Sequence, residues 1–447
     1  MKYPFIFQIA FLILWNLFKV QAQNTSDTLK LPFAIAKEKR LSDEDLRDKK
    51  EGIYLTGVPD ISSDPINGFG LGAEAQLFFN GKKNDPFFAY TPTRAEIDIT
   101  AFYTTRAQRE IRLECEIPYI FNTKWRLHGE LGYEVDPNQL YFGITEKSLQ
   151  PLSYYPNNDS TKSPVNNASY KDYENSLTGS KAFYNTYQKE EAVLNLIMER
   201  SFFEGKVRLF FGYEIARGVY TTPQNNNSLL HEDALAGKII GYGTNIIPLF
   251  QTGLIYDTRD LETDPEHGSF AELVNELSSQ TLGSQYDFDK IFFHYNIYQK
   301  IFPQTFKKLV FAASAGIGHT MGNAPFFEYQ DEESSAETIE GLGGSETLRG
   351  FKQSRFVARV MQYADVELRF RFLQYNAFKQ HFAFSAVPFF DEGGVWDDFN
   401  RISNTQNLRY SEGLGLRIAW NENTVLRFDY AVSKEDKQFF FTLKQPF

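Results

Sequence analysis

Apolar and polar residues alternate one by one along most of the chain after residue 50. In the segment 366–372 apolar residues take every even position, and Glu367, Arg369 and Arg371 take the odd ones. The segments 97–104, 207–215 and 426–433 follow the same pattern with few exceptions. A period of two is typical of β-strands with one apolar and one polar face. Because nearly every strand carries charge on one face, the pattern favours a wall between lipid and a polar lumen over a sandwich with a dry core.

The connections between these strands alternate in length. Short turns such as 121–124, 203–206 and 302–305 face long polar segments, which fill roughly 135–187, 221–246, 320–355 and 398–407. Short periplasmic turns opposite long external loops are expected of a bacterial outer-membrane barrel. The pattern predicts sixteen strands, near 51–59, 68–80, 94–105, 109–121, 124–134, 188–203, 206–220, 245–257, 269–280, 286–302, 308–319, 356–373, 381–396, 408–420, 424–434 and 437–447. We therefore predict an all-β protein, a sixteen-stranded antiparallel transmembrane β-barrel over residues 51–447.

Two segments precede the predicted barrel. Residues 1–22 combine a basic start, an apolar run and a small-x-small site at Ala22, which together predict a secretory signal peptide. A membrane helix is the alternative, but the run is shorter than the roughly 20 residues that a helical span needs. Residues 23–50 are highly charged and too short for a folded domain. We expect a short periplasmic segment there, and the sequence leaves open whether it is a helix, a plug or disordered.

Composition narrows the partners and the chemistry. Aromatic residues make up 16% of the chain, yet its net charge is −11. The acidic balance argues against nucleic acid as a partner, because phosphates would be repelled. The six histidines show no paired spacing, and neither a nucleophile elbow nor a phosphate-binding loop is present. We therefore expect no catalytic residues, no metal site and no cofactor.

One glycine-rich segment, Gly341–Phe351, lies in the long connection before residue 356. Its end, Leu348-Arg-Gly-Phe351, resembles the conserved-loop arginine motif of the BamA/TamA and two-partner-secretion superfamily, also called the bacterial surface antigen (D15-type) family. The segment Phe390–Trp396 resembles that family's partner motif. Three further matches follow the family's order, at 256–268, 413–417 and 439–447. The resemblance covers about 245–447.

The resemblance implies a loop that folds back into the lumen, where its arginine pairs with a carboxylate on the barrel wall. In this chain the pair would be Arg349 with Asp391. Strand alternation points Asp391 inward, where a guanidinium could bind it in a directional, bidentate manner. Gly350 would permit a tight backbone bend beside the arginine, and Phe351 would pack on the inner wall. The alternative is that Arg349 is an ordinary solvated loop charge.

The last strand ends on Phe447. An alternating terminal strand with a final aromatic resembles the signal by which barrels are recognised for insertion, and an ordinary closing strand with an interfacial aromatic is the alternative. The family's assembly and secretion members carry periplasmic POTRA repeats, for which residues 23–50 leave no room.

The resemblance implies a barrel-only member in the cell outer membrane. We expect a role in outer-membrane protein assembly, insertion or translocation without enzymatic chemistry; a passive pore or a surface-exposed structural protein is the alternative. The expected partners are the lipid bilayer, unfolded outer-membrane proteins, a separate periplasmic protein, and the barrel-insertion machinery through the C-terminal strand.

Overall fold

The computed structural model describes residues 30–447 except 65–66, 159, 179–182, 223–227, 334, 336–337, 379 and 422. The predicted signal peptide lies outside the described residues. Sixteen strands form one antiparallel sheet in which each strand pairs with the next in sequence, and two short strands form a separate hairpin. The strands are β1 Ile53–Asp64, β2 Gly68–Phe79, β3 Ala95–Thr104, β4 Arg109–Ile117, β5 Trp125–Leu140, β6 Thr186–Phe202, β7 Val207–Thr221, β8 Gly243–Asp257, β9 His267–Ser278, β10 Phe288–Lys300, β11 Leu309–Gly322, the hairpin strands β12 Asp331–Glu333 and β13 Thr338–Glu340, β14 Val360–Ala377, β15 Gln380–Trp396, β16 Arg409–Trp420, β17 Thr424–Val432 and β18 Lys437–Leu443.

The alternation of the sequence becomes an alternation of burial. On β14 the outward Val366 and Leu368 are 38% and 39% exposed, whereas the charged Glu367 between them is fully buried. On β10 the same inversion places His294 inside and Phe293 outside. Apolar residues therefore form the outer surface and charged residues fill the interior, as a barrel in lipid requires. The predicted fold class is confirmed.

All sixteen predicted strands are present, and the differences lie at their ends. β5 continues to Leu140, beyond the predicted limit of 134. β18 ends at Leu443, so the predicted terminal strand is four residues too long. The hairpin β12–β13 lies within the long connection after β11 and was not predicted. These differences arise where tertiary contacts compete with the strand pattern.

In the part of the chain that the structure describes, three short α-helices lie outside the sheet. They are α1 Asp43–Asp48, α2 Tyr170–Ser176 and α3 Leu229–Leu235. Each begins at a serine whose side chain accepts a hydrogen bond from a main-chain N–H in the first turn, the usual device for satisfying a helix start. Within the described ranges, no helix has the length and hydropathy needed to cross a membrane.

The two ends of the sheet meet without a ladder of main-chain hydrogen bonds. Among the described residues no strand pairing joins β1 to β18. The ends are nevertheless close, since the Thr56 hydroxyl on β1 lies 3.0 Å from the Thr424 hydroxyl on β17. β1 has twelve residues and β18 has seven, so their edges are unequal in length. We call this junction the seam.

Residues 30–50 form a strap along the periplasmic turns. The Ala36 N–H donates to the Glu204 carbonyl in the β6–β7 turn at 2.8 Å, and the Leu41 N–H donates to Ala89 between β2 and β3 at 2.9 Å. Lys39 reaches Asp257, at the end of β8, at 3.0 Å. In a sixteen-stranded barrel β8 lies seven strands from β1, almost opposite it, so the strap runs across the periplasmic mouth. Of the alternatives that the sequence left open, a short helix is present, Asp43–Asp48.

Candidate functional site

The connection between β11 and β14, residues 323–359, enters the barrel and is here called the inserted loop. Its apolar side chains Leu342, Leu348, Phe351 and Phe356 are buried in one cluster with residues of the inner wall. Phe351 is 3% exposed and meets Phe356 edge-on with ring centroids 5.0 Å apart. Each such side chain contributes on the order of 1.5–3 kcal/mol through burial. The structure thus places Phe351 on the inner wall, where the sequence expected it.

Glycines shape this loop in two different ways. Gly341, Gly343 and Gly344 have φ of 58°, 108° and 92°, which side chains rarely adopt. Gly350 lies in the expected tight turn, which the Phe351 N–H closes on the Leu348 carbonyl at 3.0 Å, but it is not among the residues with positive φ. A Cβ on Gly350 would lie 2.7 Å from the Ser411 Cβ and 2.8 Å from the Val432 carbonyl carbon. Gly350 is therefore required for close approach of the loop to the extracellular ends of β16 and β17.

Arg349 is the centre of the loop's polar contacts, and the structure brings it together with Asp391. Its Nη2 lies 2.6 Å from Asp391 Oδ1, its Nε 3.1 Å from Oδ2, and its main-chain N–H also donates to Oδ2 at 3.1 Å. Its guanidinium lies 3.5 Å from the centroid of the Phe389 ring. Arg349 is 1% exposed, and Asp391 is fully buried. The alternative of a solvated loop charge is therefore excluded by this geometry.

The arginine also binds two carboxylates that the sequence did not assign to it. Arg349 Nη1 lies 2.7 Å from Glu367 on β14 and 3.2 Å from Asp429 on β17. Arg417 on β16 bridges the same two carboxylates, at 3.0 Å and 2.5 Å. The inward, charged positions of these strands were visible in the alternation. Which charges would meet depends on the register between strands, which the alternation does not give.

Two further arginines fix the loop at other points. Arg355 donates to Glu435 in the β17–β18 turn at 2.6 Å and to the Ser148 carbonyl in the β5–β6 connection. Arg427 on β17 binds Glu346 of the loop at 2.6 Å. These contacts distribute the loop's attachment over both the wall next to the seam and the external connections. The network of Arg349, Arg355, Asp391 and their partners is called the latch below.

A second part of the inserted loop buries acidic residues. Glu332 on β12 is 3% exposed, and among the described residues its Oε2 has no hydrogen-bond partner. Burial raises the pKa of Glu332 to about 8, although the nearby Lys290 opposes the shift. Burial also raises the pKa of the neighbouring Asp331 well above its ordinary value, although Lys290 opposes the shift and Glu340 adds to it. The hairpin therefore holds a carboxyl whose protonation changes in the physiological pH range.

Aromatic residues close the external side of the inserted loop. Phe326 packs edge-on against Tyr141, Tyr187 and Tyr220, with ring centroids 5.5–5.7 Å apart. Phe327 stacks on Tyr220 at 3.9 Å. The three tyrosines come from the external ends of β5, β6 and β7, so the loop is attached to the wall on the far side of the barrel from the latch.

The last residues leave the sheet and turn into the lumen. Phe447 packs beside Tyr298, Val310 and Ala312, and Arg369 donates to its main-chain oxygen at 3.0 Å. The alternative of an ordinary closing strand with an interfacial aromatic therefore does not describe Phe447. Its predicted part in recognition by the insertion machinery concerns the chain before it folds, and stays a prediction.

A cavity of about 520 Å³ remains in the lumen beside β2–β5. Its wall carries more carboxylates than cations: the acidic residues are Glu74, Glu96, Asp98, Glu110, Glu114, Glu116, Glu130, Glu199, Glu262 and Glu340, and the cations are Arg112, Arg126, Arg208, Arg259 and Lys444. One serine–histidine contact, Ser314 Oγ to His294 Nε2 at 3.2 Å, is buried in the interior. Across the described residues no group of His, Cys, Asp and Glu side chains is arranged to hold a metal ion.

Comparisons with known proteins agree with this architecture. Residues 90–447 match the model of the Omp85 superfamily domain, and residues 31–94 match a domain of unknown function (DUF5982), which spans the strap, β1 and β2. The chain is 25% identical over 189 residues to the outer membrane protein assembly factor BamA of Nitratidesulfovibrio vulgaris. That match covers 41% of this chain, which spans only 23% of the length of that relative.

Two solved structures match most of this chain in a structural comparison. CdiB from Escherichia coli has a TM-score of 0.52 at 10% identity, over 88% of this chain and 62% of that one. BamA from Haemophilus ducreyi lacking POTRA domains 1–3 has a TM-score of 0.48 at 14% identity, over 89% and 70%. The resemblance seen in the sequence is confirmed by the family match. Because that match covers well over half of the chain, the protein belongs to the Omp85 superfamily and is an outer-membrane β-barrel.

Proposed function

We propose that this protein acts in the assembly, insertion or translocation of outer-membrane proteins, and that it does so without enzymatic chemistry. The observation that carries the proposal is membership of the Omp85 superfamily together with a barrel whose first and last strands are unpaired with each other. Both features concern the handling of polypeptide rather than of small molecules.

The seam supplies the physical means. An unpaired strand edge presents a row of N–H and C=O groups, and such groups are costly to leave unsatisfied beside lipid. A strand from an unfolded client can satisfy them by adding to β1, whose Ile53 and Leu55 are 66% and 65% exposed. The client would then enter the bilayer already hydrogen-bonded. No step in this scheme requires a bond to be made or broken covalently.

The latch has a complementary role, because it keeps part of the barrel wall rigid while strand pairing at the seam changes. Arg349, Arg417 and their carboxylates connect β14, β15, β16 and β17 through the lumen. Buried, bidentate contacts of this kind are directional and hold elements in register. We propose that the inserted loop braces this part of the barrel, and that a separate periplasmic protein delivers clients to it.

Depletion of the protein followed by a quantitative census of outer-membrane proteins tests the proposal. We expect a subset of β-barrels to fall in abundance, while lipoproteins that do not form barrels stay constant. Unchanged abundance of every barrel after depletion would remove the assembly function.

A passive pore is the second candidate, because the lumen retains a polar cavity of about 520 Å³. The reconstituted protein in a planar bilayer separates the two functions. Small, flickering currents fit a barrel obstructed by its inserted loop and strap. Large, steady currents from the unaltered protein would favour the pore.

A further inference from the structure

The distal half of the strap, residues 33–41, lies in a groove on the periplasmic turns, here called the strap groove. The Phe33 ring sits 5.5 Å from Phe87 and 5.6 Å from Tyr119, measured between centroids. The next anchor, Ala36, is 1% exposed and donates its N–H to the Glu204 carbonyl. Ala34, between them, is exposed. Main-chain hydrogen bonds combined with side-chain pockets at separated positions are the way in which extended peptides are bound.

Lys39, the basic residue near the end of this segment, forms an ion pair that its buried partner does not depend on. Lys39 Nζ lies 3.0 Å from Asp257 Oδ2, but Arg208 and Arg259 already bind the same carboxylate at 3.1 Å each. Burial lowers the pKa of Lys39, with Asp257 opposing the shift and Arg208 adding to it. Asp257 would therefore remain paired if Lys39 withdrew, so the lysine can leave without stranding a buried charge.

The linker that joins this segment to the barrel contains a short helix that can unfold. Helix α1 has six residues, much shorter than the roughly 12–15 that an isolated helix needs to persist. Beyond it, Lys49 Nζ donates to the Phe88 and Thr91 carbonyls at 2.6 Å each. Residues 33–41 can therefore leave their groove while the chain stays fastened at Lys49.

We propose that the strap groove is an exchangeable docking site for an extended segment of another polypeptide, and that residues 33–41 are its built-in occupant. The segment that fits carries an aromatic residue, a small buried residue three positions later, and a basic residue three positions after that, as in Phe33, Ala36 and Lys39. The inference rests on the proposed function in taking the incoming ligand to be a polypeptide. It gives the strap an autoinhibitory role at the periplasmic mouth.

The test uses a fluorescent peptide of residues 30–41 and the full-length barrel in detergent. Ala36→Asp places a charge in the groove and should expel the strap, whereas Ala34→Asp makes the same change at an exposed position of the same segment. Trypsin cleavage after the buried Lys39 reports release, and heat-dependent gel mobility reports an intact barrel. Ile35→Asp serves as a second release variant if the first does not fold.

We expect the peptide to bind the released variant at least tenfold more tightly than it binds the unaltered protein or Ala34→Asp, with no binding of a scrambled peptide. The inference is overturned if the variant exposes Lys39 to trypsin but binds the peptide no better than the control. It is also overturned if neither release variant exposes Lys39. Neither readout depends on client assembly, so the census of outer-membrane proteins can fail while the groove binds peptide, and the reverse.

Discussion

Replacing Arg349 with alanine is the most direct test of the latch. The substitution removes a buried guanidinium from three carboxylates, and their remaining contacts set the size of the effect. Glu367 keeps Arg369 at 2.8 Å and Arg417 at 3.0 Å, and Asp429 keeps Arg417 at 2.5 Å. Asp391 is left, within the described part of the chain, with the Ser411 hydroxyl at 3.0 Å and one main-chain N–H.

The loss is therefore concentrated on one buried carboxylate. Breaking a buried ion pair by removing one partner costs about 3–5 kcal/mol, and the lower end applies because two of the three partners stay paired. A change of about 3 kcal/mol shifts the equilibrium between docked and open loop by roughly 100-fold. We expect the inserted loop to open about that much more often in Arg349→Ala, and the heat resistance of the barrel to fall.

Chymotrypsin cleavage at Leu348, Phe351 and Phe356 measures this opening, because all three side chains are buried in the docked loop. When opening and closing are fast relative to cleavage, the cleavage rate follows the open population. Arg359→Ala is the matched control, since Arg359 lies on the same loop but is exposed. A cleavage rate for Arg349→Ala within twofold of the unaltered protein would refute the latch.

A double-mutant cycle assigns the effect to the pair. Asp391→Asn removes the charge that Arg349→Ala leaves unpaired, so the double variant should be less open than the sum of the single effects predicts. Additive effects would show that Arg349 stabilises the loop by some means other than Asp391.

Three further outcomes concern the inserted loop and the wall that it contacts. Because burial raises the pKa of Glu332 from its ordinary 4.5 to about 8, the docked loop holds a proton that the released loop loses, so docking weakens as the pH rises from about 4.5 to 8. The rate at which chymotrypsin cleaves the loop, divided at each pH by its rate on a free peptide, should rise over that window. Glu332→Gln should reduce this rise without removing it, because burial also raises the pKa of Asp331 in the same hairpin. Gly350→Ala brings a methyl group to 2.7 Å from the Ser411 Cβ and should cost about 1–3 kcal/mol, seen as faster cleavage; an unchanged rate contradicts the close approach. Asp365→Asn should raise the thermal midpoint, because both Asp365 carboxylate oxygens are buried opposite Asp391 without hydrogen-bond partners among the described residues; a lower midpoint would show that the charge is needed.

The strand pattern could be predicted because lipid and lumen impose opposite demands on neighbouring residues. Leu368 and Glu367 face different solvents, so the sequence must alternate wherever the wall continues. The position at which β18 ends is not determined by this alternation. Alternation continues through Leu443, but Lys444 has a φ of 69° and Phe447 finds an aromatic contact with Tyr298 inside the lumen. A contact of this kind between distant strands produces no periodic pattern in the sequence.

The sequence predicts those parts of the candidate site that depend on a sequence motif or on the face of the strand that a residue occupies. The motif at 348–351 indicated Arg349, and alternation turned Asp391 inward. The contacts to Glu367 and Asp429 depend on register, since these residues lie 18 and 80 positions from Arg349 in sequence. The strap has no apolar period at all, because its buried side chains contact turns rather than a second element with a fixed repeat.

The latch also limits where the barrel can open. Its charged contacts join β14, β15, β16 and β17 into one unit, whereas β18 is held by seven pairs to β17 and by the tail in the lumen. The Arg355–Glu435 pair secures the external β17–β18 turn, so β18 is fastened most firmly at its external end. β1 is held by its ladder with β2 and, at the seam, by the contact between the Thr56 and Thr424 hydroxyls, and the strap continues directly from its periplasmic end. Movement at the seam should therefore begin at the periplasmic end of β1, where release of residues 33–41 would act, while the four latched strands keep their register.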